Sequence, residues 1–366
     1  MTSYVLRFSV LACALLLSSP LAAKQVGYFA LVQRTVDTYI VPHFKQFQIT
    51  TSKFKTAVKD YCAAPDKAGL ERVTQTFGDV VDRWAEVNFV RLGPLSQKGR
   101  AERIAFWPDP RGVMQRQLRS FLAKRVPTVL DPAALAKQSA AAQGLFAFEY
   151  LLTDTETPIG APSEDGKYRC AFASAIAENI DNIARDVLDE WQAEDGWRMR
   201  MLTPGSDNPL YPEPSSAAAE LVKSLLTGLE VIQDQQLGPR PPRGGAAPPP
   251  EPAKPFRGPF YRSGLSPEYM RAGLHGLATF YDVLKLQDYV PAEKAWIKKW
   301  IAQAFHNLDR DSTALLVLSG PHGETGERQK RMKPIRFHIN GIRRLIGLEV
   351  ASAAGLILGF NELDGD

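Results

Sequence analysis

Between Tyr168 and Trp191 an apolar residue recurs every three or four positions: Tyr168, Phe172, Ile176, Ile180, Ile183, Val187 and Trp191. This spacing puts them all on one face of an α-helix, and a helix so striped must bury that face against other helices. Leu70, Val73, Phe77, Val80, Trp84 and Val87 repeat the pattern. Strand-like alternation between hairpin turns is scarce, so the sequence predicts an all-α protein. Further helices are expected over 26–60, 98–105, 112–125, 132–152, 215–236, 266–287, 292–308 and 336–360. Asp131-Pro132 and Ser266-Pro267-Glu268 carry helix-start signals, a proline in the first turn among them. The run Ile346 to Phe360 is apolar nearly all round, but it is only 15 residues long and carries Glu349. It reads as a buried bundle helix rather than a membrane span, with Gly355 and Gly359 permitting close packing.

The first 23 residues have the layout of a secretory signal peptide. Arg7 precedes the apolar stretch Phe8 to Leu17, and small residues follow through Ala23. The stretch is too short to span a bilayer, which takes about 20 residues. Cys13 lies inside it rather than after it, unlike a lipoprotein cysteine. Export implies a periplasmic or cell-envelope location and a mature chain from residue 24. Two cysteines then remain, Cys62 and Cys170. An oxidising compartment suggests that they form one disulfide, and two separate buried thiols are the alternative.

The net charge of +4, from 44 basic and 40 acidic residues, is too balanced to point to nucleic acid. The irregular stretch Arg198 to Pro214 separates two helical halves, expected at 24–200 and 201–366. Residues 238–259 hold nine prolines and read as a loop excursion. The segment from Gly320 to Pro334, with Arg328, Lys330, Arg331 and Lys333, reads as a second loop. Gly144-Leu145-Phe146-Ala147-Phe148-Glu149 echoes Gly273-Leu274-His275-Gly276-Leu277-Ala278. The echo suggests two up-and-down bundles related by duplication.

Most familiar enzyme signatures are missing. The five histidines form no HExxH, and the sequence has no CxxC, Walker loop or GxSxG. What stands out is the block Gly93 to Gly112. Arg100 and Arg103 are three apart and share a helix face. Trp107-Pro108-Asp109-Pro110-Arg111 then forces a turn. Arginines on one face beside Asp109 suit a small anionic ligand; an internal Arg–Asp pair is the structural alternative. Glu149 is a lone carboxylate in the apolar run GLFAFEYLL. A buried carboxylate needs a cation or hydrogen-bond donors, so Glu149 is expected to pair with Arg100 or Arg103, or to ligate a metal.

Together these segments resemble the imelysin family of bacterial envelope proteins. The resemblance rests on Tyr39-Ile40-Val41-Pro42, on Gly93-Pro94 with Arg100 and Arg103 leading into FWPDPRG, on GLFAFEYLL, and on the terminal LGFNELDGD. It implies a fold of two helical bundles and a site near their junction, built on the family's GxHxxE motif. Here Gly144 and Glu149 match that motif, but Phe146 occupies the histidine position. The resemblance also implies a link to iron or another divalent metal. The site expected from it is Glu149 as acceptor, Arg100 and Arg103 as orienting cations, and Asp109 and Trp107 beside them. His275, at the echo position of Phe146, is the candidate second metal ligand. Phenylalanine cannot ligate, so the expectation is a non-catalytic envelope binding protein whose partner is a metal ion, a small anion or another envelope protein. A metallopeptidase and a scaffold with a degenerate metal site are the other readings.

Overall fold

The computed structural model describes residues 20–238, 258–318 and 325–359. Most of the signal segment with Cys13, most of the proline-rich stretch, and the tail from Phe360 lie outside them. The described residues form helices α1 Pro20–Thr35, α2 Val41–Ala63, α3 Lys67–Val87, α4 Arg100–Ile104, α5 Val113–Lys124, α6 Pro132–Leu135 and α7 Leu145–Leu152. They continue with α8 Glu164–Gln192, α9 Trp197–Leu202, α10 Pro214–Val231, α11 Ser266–Leu284, α12 Ala295–Thr313, α13 Thr325–Arg344 and α14 Ala351–Ala354. No strand occurs among the described residues, in agreement with the all-α expectation. No described helix is long and apolar enough to cross a membrane.

Local chemistry sets the helix starts. Asp66 accepts from the Gly69 amide ahead of α3, and Ser163 accepts from Gly166 ahead of α8. Each side chain satisfies an amide that the first turn leaves without a partner. Glu164 and Asp165 add negative charge at the positive end of α8.

The apolar stripes then decide the packing. Helix α2 lies against both α3 and α8, and α3 also packs on α11 of the second half. Helix α1 packs on α10 and α11, so the N-terminal helix joins elements late in the chain. Phe54, Phe77 and Phe148 meet edge-on and tilted at 4.6–6.0 Å, and Phe260 reaches Phe77 from the second half at 6.2 Å. Tyr39 is fully buried, and its hydroxyl donates toward the carbonyls of Glu86 (2.8 Å) and Gly276 (2.9 Å). Residues before and after the 198–214 stretch belong to one hydrophobic core. Cys62 on α2 and Cys170 on α8 form a disulfide with Cα atoms 5.5 Å apart.

Two expected helices are shorter than their apolar pattern suggests. The span 132–152 breaks into α6, a 3₁₀ turn at Ala140–Ala142, and α7. Gly144 sits between the last two with φ +84°, a conformation a continuing helix does not allow. The span 336–360 ends at Ala354, where Gly355 turns left-handed (φ +72°) and closes the helix. Gly355 is therefore a terminator, not one half of a packing pair. Nor does the echo reflect equivalent structure: Gly144 precedes its helix, whereas Gly273 lies inside α11.

Candidate functional site

Helix α7 carries Phe146 and Glu149 against the turn that precedes α11. The turn before it depends on Gly144, because a Cβ there would stand 2.4 Å from the carbonyl oxygens of both Arg103 and Ile104. This close approach binds α7 to the end of α4. Phe146 is buried and lies between two aromatic partners. Its ring stacks on Trp107 (5.2 Å) and on Phe260 (4.3 Å). Beside the sandwich is a cavity of about 30 Å³, lined in part by Trp107, Phe146, Gln236 and Tyr269. The Trp107 Nε1 and Gln236 Oε1 atoms are buried there without hydrogen-bond partners among the described residues.

Glu149 is only 2 % exposed. Its Oε1 accepts from the Ser263 backbone N–H (2.9 Å) and from the Ser263 hydroxyl (2.7 Å). Burial raises the Glu149 carboxyl above its usual range, while the Ser263 hydrogen bonds and the positive charge of Arg262 oppose that rise. Arg262 also lies over the Tyr150 ring at 5.1 Å. Glu149 thus pairs with neither Arg100 nor Arg103. Its partners come from the turn preceding α11, a segment with no charge motif to announce it. The Ser263-Gly264 turn was the only sequence signal available, and a turn does not name its distant partner.

The expected site residues fall into three separate settings. Arg100 is buried and makes a bidentate pair with Glu190 on α8, while also donating to the Pro94 carbonyl (2.9 Å). Asp109 does not face the arginines. Its two carboxylate oxygens accept from the Val113 and Met114 amides (2.8 and 3.0 Å) and cap α5. Arg103 donates to Gln143 Oε1 (3.2 Å) and Asn179 Oδ1 (3.3 Å). Gln143 and Asn179 are themselves buried and joined by a 2.7 Å hydrogen bond. Both were missed in the sequence. Asn179 could have been found as a polar residue next to the apolar stripe of α8.

His275 is exposed on α11, in the electrostatic neighbourhood of His43, which lies over the Tyr39 ring. Burial lowers the His43 imidazole below its ordinary value. The hydrogen-bond partner of Glu149 is instead Ser263. Among the described residues no group of three or more His, Cys, Asp or Glu side chains is placed to hold a metal. The donor set at the motif is one carboxylate already occupied by Ser263, and the neighbouring motif position holds Phe146, stacked between Trp107 and Phe260. That set does not fit a metal centre, which ordinarily takes at least three protein donors.

A family model described as imelysin matches residues 40–325. The chain is similar in fold to an imelysin-like protein from Psychrobacter arcticum, with a TM-score of 0.70 and 16 % identity over 92 % of this chain and 98 % of that one. It is also similar to a Parabacteroides distasonis protein assigned as an iron-regulated protein A precursor. There the TM-score is 0.68 and the identity 12 %, over 90 % and 95 % of the two chains. No curated protein matches the sequence.

Proposed function

The chain belongs to the imelysin family, and from that premise we propose that it is a non-catalytic binding protein of the cell envelope with an iron-related role, whose motif helix serves as a structural lock. The single observation that carries this reading is the state of Glu149. Its carboxylate is held by two donors of Ser263, and Phe146 fills the neighbouring place with a ring stacked on both sides. A motif that offers one open carboxylate to a metal has here become a contact between α7 and the turn before α11. Metal-assisted hydrolysis would need several ligands and an open position for water, and a carboxylate held by Ser263 beside the stacked Phe146 ring supplies neither. The association with iron comes from the similar Parabacteroides protein, assigned as iron-regulated. The signal segment supports a periplasmic or envelope location. In this reading iron bears on when the protein is made rather than on what Glu149 holds.

Calorimetric titration with ferrous, ferric, cupric and zinc ions tests the proposal, with Glu149→Gln measured in parallel. The expected result is no saturable heat at the motif and a lower melting temperature for the variant. Micromolar binding that Glu149→Gln abolishes would overturn the proposal and restore a working metal site.

A further inference from the structure

The arrangement around Arg103 is not explained by the lock. Arg100, three residues before Arg103, pairs with the Glu190 carboxylate. Arg103 makes no ion pair among the described residues. Its guanidinium is held by two neutral amides, Gln143 and Asn179, both buried and both fixed by further bonds. Burial lowers its pKa, and the nearby charge of Arg100 adds to this, while Asp186 opposes it. An oriented, partly desolvated cation with unused N–H groups has the geometry for receiving a carboxylate two-handed.

Arg103 opens onto a pocket of about 300 Å³ between α6 and α8. Glu178, Asn182 and Asp186 stand at successive turns of α8 along its wall, and Asp131 closes the α6 side. From Glu178 to Asp186 the helix rises about 12 Å. The pocket therefore joins one cation to three carboxylates. A simple anion would meet Arg103 but be repelled by Asp131, Glu178 and Asp186. A simple amine would leave Arg103 without a partner. A molecule carrying both charges satisfies both sets.

We propose that the Arg103 pocket binds a small α-amino-acid zwitterion, its carboxylate on the Arg103 guanidinium and its ammonium facing Asp186. Asn182, on the wall between Glu178 and Asp186, adds an amide for a further hydrogen bond. This inference deepens the binding-protein reading and does not depend on iron or on Glu149.

The test is ligand-observed NMR of the mature chain with glycine and each of the nineteen chiral L-amino acids, about twenty ligands in all, followed by calorimetry on those that bind. Acetate and ethylamine at matched ionic strength serve as half-ligands. At least one amino acid is expected to saturate the protein, with both half-ligands binding at least tenfold more weakly. Arg103→Gln and Asp186→Asn should each weaken the amino acid by tenfold or more. Asp186 is exposed, so its variant decides the matter even if Arg103→Gln fails to fold. Asp207→Asn, on a separate loop, should bind as the parent does. No binding by any amino acid up to about 10 mM would overturn the proposal. So would affinity unchanged in Asp186→Asn, or acetate binding as tightly as the amino acid. These outcomes are read independently of the metal titration.

Discussion

Replacing Ser263 by alanine removes its hydroxyl donor to the Glu149 carboxylate and leaves its backbone N–H in place. The lost O–H bond is 2.7 Å long and ends on a carboxylate that is 2 % exposed. A hydrogen bond to a charged group contributes about 1.5–3 kcal/mol, so that is the expected loss of stability where Glu149 is ionised. The pH dependence makes the prediction specific. Burial already raises the Glu149 carboxyl, and the Ser263 hydroxyl works against that rise. Without the hydroxyl the folded-state value moves further up. A carboxyl raised in the folded state gives its full stability contribution below the unfolded value of about 4.3, and loses it as pH climbs through the folded value. The deficit of Ser263→Ala should therefore be small near pH 4 and grow as pH rises from there and Glu149 ionises, toward about 1.5–3 kcal/mol. Urea unfolding of parent and variant across that range measures it. An equal deficit at both ends would refute the reasoning, because it would mean that the lost bond does not act on a titrating carboxylate.

Phe146→Ala empties the space between Trp107 and Phe260 and should cost about 3–5 kcal/mol, read as a shift in the guanidinium midpoint. Gly144→Ala would drive a Cβ into two carbonyl oxygens at 2.4 Å and impose a positive φ on alanine. It should lose at least about 3 kcal/mol, visible as a depressed melting temperature or failure to accumulate folded protein. Reducing the Cys62–Cys170 bond opens a loop of 108 residues. In the chain-entropy model its loss removes about 4–5 kcal/mol, which thermal unfolding with and without reductant would register.

How far the site could be read in the sequence differs residue by residue. The seven-position stripe of α8 and the stripe of α3 announced buried helices, because helical periodicity is a local property of the chain. Arg100, Arg103, Trp107, Asp109 and Glu149 were conspicuous as polar or aromatic residues in an unusual block. Their partners were not. Asp109 caps its own following helix, Arg100 reaches across to Glu190, and Glu149 finds Ser263 114 positions away. Each of these choices depends on which helices come to lie side by side. The apolar pattern alone also overran the ends of two helices, since Gly144 and Gly355 act through backbone conformation rather than hydrophobicity.

By itself, then, the sequence determined that the chain is helical, which helix faces are buried, and that the metal motif has a phenylalanine where a ligand would stand. These follow from side-chain chemistry and short-range spacing. Only the tertiary structure decided that Glu149 is satisfied by a turn from the other half of the chain, and that Arg103 is held by amides rather than a carboxylate. Pairings across 76 and 114 positions arise from the packing of whole helices, and no local rule in the chain encodes them.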